Sequence, residues 1–235
     1  MKAKIVNFLI PCLFAINSSA QEWKAYISYK YMYSNQLDKI IQTYNFSRPL
    51  LAEKQPLLMH GLNASTSYIF TSSKKFKHGI NLSYSNFKSS AENENLNNIL
   101  NLHFINLGYI LHYENNEKPN GLYTDIIISA LSSGLFRNVN GEPYTYDEKA
   151  AKAFGIGGDL SIKAGYCFNL KNKSYLSPFV SVGYAPYFYS PNSEAVINQT
   201  KGLVSKNWIG ILSTQIGLSF HLKQQQNDLP KKGIL

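Results

Sequence analysis

Residues 154–168 read FGIGGDLSIKAGYCF. One parity holds Phe154, Ile156, Gly158, Leu160, Ile162, Ala164, Tyr166 and Phe168; the other holds Gly155, Gly157, Asp159, Ser161, Lys163 and Gly165. A period of two places these sets on opposite faces of a strand. The run is longer than the usual strand of ~5–6 residues and exceeds the ~9–11 that a tilted strand needs to cross a bilayer. Its polar face is the informative one. A face turned to water carries many Lys, Glu and Asp, whereas this one is Gly and Ser with sparse charge. Small, mostly neutral residues suit the packed inside of a narrow barrel, which leaves the apolar face for lipid.

The same alternation recurs along the chain. From Trp23, the odd positions Trp23, Ala25, Ile27, Tyr29, Tyr31 and Tyr33 alternate with Lys24, Tyr26, Ser28, Lys30 and Met32. A second strand carries Leu58, His60, Leu62, Ala64, Thr66, Tyr68 and Phe70 on one face, and a third carries Ile80, Leu82 and Tyr84. The fourth, around residues 99–113, changes phase: Leu100, Leu102 and Phe104 share one parity, Ile105, Leu107, Tyr109, Leu111 and Tyr113 the other. A β-bulge near Phe104-Ile105 would reconcile the halves. The fifth, residues 122–135, has Ile126, Ile127 and Ile128 apolar on both faces. With residues 154–168, 175–189 and 207–222, eight strands result. The fold class is an all-β, eight-stranded, antiparallel, up-and-down transmembrane β-barrel, an even count as outer-membrane barrels require.

Composition agrees. Only 16% of the 235 residues are charged, below the ~25% of soluble domains, and there are 17 Tyr and 13 Phe. Past residue 20 no apolar run reaches the ~18 residues of a membrane helix, which excludes a helical-bundle membrane protein.

Residues 1–20, MKAKIVNFLIPCLFAINSSA, read as a secretory signal peptide: Lys2 and Lys4, a short apolar stretch, then Ser18-Ser19-Ala20 before Gln21. Cleavage is expected after Ala20, with the barrel at 21–223 and a polar tail at 224–235. Ile10 and Pro11 before Cys12 argue against lipidation there, and removal of the segment leaves Cys167 without a disulfide partner. The full chain carries +9, and about +7 once Lys2 and Lys4 leave with the signal segment; in an exported bacterial chain this points to outer-membrane lipid and lipopolysaccharide, not nucleic acid.

The links alternate. Those after strands one, three, five and seven are expected at 34–55, 88–95, 137–151 and 190–205. The short links are expected at 72–76, 114–120 and 169–173. Long extracellular loops and short periplasmic turns are the outer-membrane pattern. In the first long link, Leu37, Ile40, Ile41 and Tyr44 fall at helical spacing, with Asn35 as a candidate cap, and predict a helix packed over the barrel mouth. Trp23, Tyr31, Tyr33, Tyr109, Tyr113, Tyr175, Tyr184, Tyr187, Tyr189 and Trp208 are candidates for aromatic girdles.

No catalytic, cofactor-binding or metal-binding constellation emerges. Asp159 and Lys163 share the inward parity and are expected to join an interior polar network with neighbours such as Asp125 or His103. The five His lack a Ser two residues after them, so the His-x-Ser arrangement of lipid A deacylase barrels is not matched. His60 and His112 are the candidate bases if the barrel modifies lipid. Residues 215–222, QIGLSFHL, close the last strand. Gln215, Gly217, Phe220 and Leu222 look like the signal read by the outer-membrane assembly machinery. There a Gly follows the polar residue by two, and apolar groups follow it by five and seven.

On the signal junction, the alternating strands and this ending, the chain resembles the small outer-membrane β-barrel proteins of the Bacteroidota. These are similar in shape to the OmpA and OmpX transmembrane domains and porin-like in pattern. The resemblance implies an outer-membrane location and an assembly pathway. The expected function is a non-enzymatic barrel whose extracellular loops contact a partner or surface lipid. The alternatives are a lipid-modifying barrel enzyme or a component of an envelope secretion or assembly complex.

Overall fold

The computed structural model describes residues 22–47, 53–71, 75–93, 96–114, 120–140, 142–143, 152–170, 174–189 and 208–223. The signal segment, the polar tail, all of the 190–205 link and most of the 137–151 link lie outside the described residues. Eight long strands form the sheet: β1 (Glu22–Tyr33), β2 (His60–Thr71), β3 (Phe76–Asn93), β4 (Leu96–Glu114), β5 (Gly121–Val139), β6 (Lys152–Asn169), β7 (Ser174–Tyr189) and β8 (Trp208–Lys223). Each pairs antiparallel with its sequence neighbour, and β8 closes on β1 through Trp23↔Leu222 and Ile27↔Leu218. A two-residue piece, Glu142–Pro143, pairs with the end of β5. Closure leaves no strand edge, so the ladders satisfy the backbone without water.

Outward positions form one apolar belt. Ile27 is 64% exposed, Leu62 64% and Ile156 69%, and Leu82, Leu107, Ile128, Val180 and Leu212 continue it around the barrel. Exposed apolar area on this scale is the surface of a barrel solvated by hydrocarbon. Tyr68, Phe76, Tyr113 and Phe168 lie toward the turn end of the belt, and Tyr29, Tyr84, Phe154 and Trp208 toward the loop end. Tyr187 and Tyr175 depart from the expected girdles. Both have inward parity, Tyr187 at 3% exposure against Phe104 and Tyr175 packed beside Phe179.

The interior is layered. At the loop end it is apolar, because α1 (Asn35–Phe46) docks inside the barrel. Leu37, Ile40, Ile41 and Tyr44 meet Met32, Phe87, Leu102, Leu135 and Ile209 in one cluster. This explains the phase change in β4. The pairing runs without interruption through Phe104↔Ser85 and Ile105↔Tyr84, so the expected bulge is absent. Leu100, Leu102 and Phe104 face inward against the plug, and Ile105, Leu107 and Tyr109 face outward. Leu58 also differs: it precedes β2 and packs in the plug cluster. Ser34, not Asn35, is the residue before the first turn; it makes no side-chain cap, and its carbonyl accepts from the Asp38 amide at 2.9 Å. The 88–95 link is largely strand, since β3 runs to Asn93 and β4 starts at Leu96.

A polar latch holds α1. Asn45 donates from Nδ2 to the Gln55 carbonyl and accepts from the Gln55 amide, both at 2.8 Å. Gln55 then bonds Ser89 and Asn98 at 2.7 Å each, and Arg137 Nε donates to Asn98 Oδ1 at 2.7 Å. Ile41 is fully buried, so Ile41→Asp would bury a charge without a partner. That variant should undock α1 while the strand ladder stays closed. Limited proteolysis should then cut within 34–59 in the variant and spare the parent, with both keeping their gel mobility shift on boiling.

Candidate functional site

Three interior and surface features carry chemistry. The first is a dense charged cluster at the turn end of the barrel. Glu22 and Lys24 enter from β1, Lys77 from β3, His112 and Glu114 from β4, Asp125 from β5 and His221 from β8, all on inward parity and all buried. His112 Nδ1 lies 2.6 Å from Asp125 Oδ1, and Lys24 Nζ lies 2.9 Å from that nitrogen and 3.5 Å from that oxygen. The Tyr26 hydroxyl donates to Asp125 Oδ2 at 3.2 Å. Lys77 Nζ bridges Glu22 at 3.2 Å and Glu114 at 3.1 Å. Glu22, His112 and Glu114 bring ligand-type atoms within 4.8 Å of one another, but the Lys77 ammonium already supplies the cation that both carboxylates need.

Beside this cluster, Ser219 Oγ lies 2.7 Å from His221 Nε2, and His221 Nδ1 lies 3.2 Å from Glu22 Oε1. This is the order of a nucleophile, a base and an orienting acid. It was missed in the sequence because the Ser precedes its His by two residues. All three are sealed at 2% exposure or less, and Ser219 already donates to the Ser177 carbonyl, so no acyl group reaches it. His112 is equally enclosed. His60 lies on the outer face against the Tyr29 hydroxyl and the rings of Tyr29 and Tyr31, with no carboxylate in that set.

The second feature is the middle layer, where the sequence placed its polar network. A cavity of about 20 Å³, room for one water, is lined by Lys30, Asn63, Asn106, Asp159, Lys163 and Gln215, among others. Asn106 donates to Asp159 at 3.0 Å, and Lys163 stands opposite Asp125 in the ladder with its Nζ 3.3 Å from the centre of the Tyr26 ring. Asp159 and Lys163 are thus on the inward parity. His103 is not. It faces outward, bonded through Nδ1 to Tyr84 at 2.6 Å and Asn86 at 2.9 Å. Without a bulge its parity is that of Ile105, the lipid-facing set.

The third feature is the closing strand. Gln215 accepts from Ser28 Oγ at 3.0 Å, and Phe220 and Leu222 point outward at 37% and 42% exposure. At Gly217 β1 leaves no room for a side chain: a Cβ there would lie 2.3 Å from the Ile27 carbonyl oxygen and 2.5 Å from Ser28 Cβ. A backbone atom cannot yield as a side chain does. Gly217→Val should therefore prevent closure, and a gel of the membrane fraction should show little heat-modifiable species, whereas Ser213→Ala assembles normally.

No family model matches the chain, and no curated protein matches it. Solved structures do. Neisserial surface protein A is 12% identical with a TM-score of 0.46, covering 86% of this chain and 96% of its own. The outer membrane protein OprG from Pseudomonas aeruginosa is 8% identical with a TM-score of 0.46, covering 88% and 98%. Ail, the attachment invasion locus protein of Yersinia pestis, is 12% identical with a TM-score of 0.40, covering 86% and 98%. Each resembles this chain in general shape only.

Proposed function

We propose that this protein is a non-enzymatic barrel of the bacterial outer membrane whose loop end, facing the exterior, meets a partner or surface lipid. The observation that supports this most is the pairing of an unbroken outward apolar belt with a filled interior. The belt calls for hydrocarbon around the barrel. The filling is by α1 at one end and paired charges at the other, and the cavity between them has room for one water. What varies freely on such a scaffold is its loops.

The test keeps Arg137, because its bond to Asn98 belongs to the latch. Replacing residues 144–150 by a short Gly-Ser turn should leave the boiling-dependent gel shift intact and change what whole cells bind. An unchanged binding profile would count against a role for this loop.

A further inference from the structure

We propose that the outer face of β2, β3 and β4 at the loop end holds the phosphate of a phosphorylated glycolipid headgroup, a site that rests on the membrane reading above. Below this height the outward side chains of β3 are Ile80, Leu82 and Tyr84, and those of β4 are Ile105, Leu107 and Tyr109. Above Tyr84 the face changes. β3 continues with Asn86 and Lys88, β4 with His103 and Asn101, and β2 starts with His60. The ladder sets Asn86 opposite His103 and Lys88 opposite Asn101, and Gly61 of β2 pairs with Phe87 between them.

Both histidines are aimed in the same way. The Tyr29 hydroxyl pairs with His60 Nδ1, and the Tyr84 hydroxyl pairs with His103 Nδ1. The two ring pairs repeat one geometry, with centroids 5.8 Å apart and planes at 29° and 27°. Asn86 Nδ2 can only donate, so Nδ1 of His103 accepts and its proton sits on Nε2. Neither Nε2 nor Lys88 Nζ has a hydrogen-bond partner among the described residues. The result is the His103 Nε2–H donor and the Lys88 cation, with the His60 ring beside them, at the upper edge of an apolar belt, where a lipid places its headgroup. Among the described residues, Glu92 further along β3 accepts from Asn97 at 2.9 Å, and Glu53 accepts from the Glu92 amide at 2.6 Å. Donors on a rigid ladder beside a lysine suit an anionic oxygen cluster. The belt below suits the acyl chains of the same molecule, which commits the site to a lipid and not to free phosphate.

The test titrates detergent-solubilised full-length protein with diphosphoryl lipid A and reads bound lipid by native mass spectrometry. The combined variant His60→Gln, Lys88→Gln and His103→Gln should bind at least about tenfold more weakly, from the loss of charged and neutral donors together. Lys75→Gln, at the turn end, should bind like the parent. Equal binding by parent and triple variant overturns the inference, as does displacement of the lipid by millimolar inorganic phosphate. The same preparation is checked for its boiling-dependent gel shift. Its absence defeats the barrel reading itself, while its presence without phosphate-dependent binding defeats this inference alone.

Discussion

Replacing Lys24 by methionine should lower the unfolding free energy of the barrel by about 3–5 kcal/mol, the loss expected when one partner of a buried ion pair is removed. Lys24 is completely buried, 3.5 Å from Asp125 and 3.7 Å from Glu22, with its ammonium over the Tyr123 ring at 4.8 Å. Its removal leaves two carboxylates inside a closed barrel with less positive charge between them. The measurement is urea unfolding of the folded protein in phospholipid vesicles. The double variant Lys24→Met/Asp125→Leu should recover part of the loss, because it removes the stranded charge as well. A loss within about 0.5 kcal/mol for the single variant, the range of surface substitutions, would mean that water reaches the cluster and that the turn end is open.

Arginine at Ile27 should have an effect of similar size for a different reason. Ile27 is 64% exposed on the outer face of β1, with Leu218 of β8 beside it. In water, an exposed Ile→Arg change moves stability by no more than about 0.5 kcal/mol. At the middle of a bilayer it costs about 2–4 kcal/mol. Unfolding of Ile27→Arg in vesicles should therefore show the larger loss, with a smaller loss for an Arg placed at Tyr33, nearer the loop end. Equal and negligible losses at both positions would say that this face meets water.

These two residues also mark what the sequence made legible. Ile27 was readable because lipid imposes the same demand on every outward position, so alternation alone identified the outer face and the strand count. The inner face obeys no single rule. It is apolar where α1 docks, neutral and polar in the middle, and charged at the turn end. An inward apolar run such as Leu100, Leu102 and Phe104 therefore looks like a change of register. The bulge invoked to explain it carried His103 to the wrong side, and the same change of interior hid Tyr187 in the plug cluster. Asp159 and Lys163 lie in a strand with clean alternation, and their inward placement followed directly.

The charged cluster was present as parity but not as a cluster. Glu22, Lys24, His112, Glu114 and His221 each lie on an inward parity within a few residues of a strand's turn end. Bringing them together needs the β1–β8 closure, which joins residues about 200 positions apart, such as Glu22 and His221. Alternation within a strand carries no information about that register. The helix was legible because its stripe of Leu37, Ile40, Ile41 and Tyr44 had to be buried somewhere. Its place inside the barrel depends on apolar residues contributed by seven different strands.

The most direct measurement is fractionation of the cell envelope, followed by electrophoresis of the outer-membrane fraction with and without boiling. A closed barrel with a lipid-facing belt should be found in that fraction and should change mobility when boiled, because its ladders survive detergent until heated. Recovery in the soluble periplasmic fraction, with one mobility under both conditions, would contradict the assignment of the apolar parity to lipid.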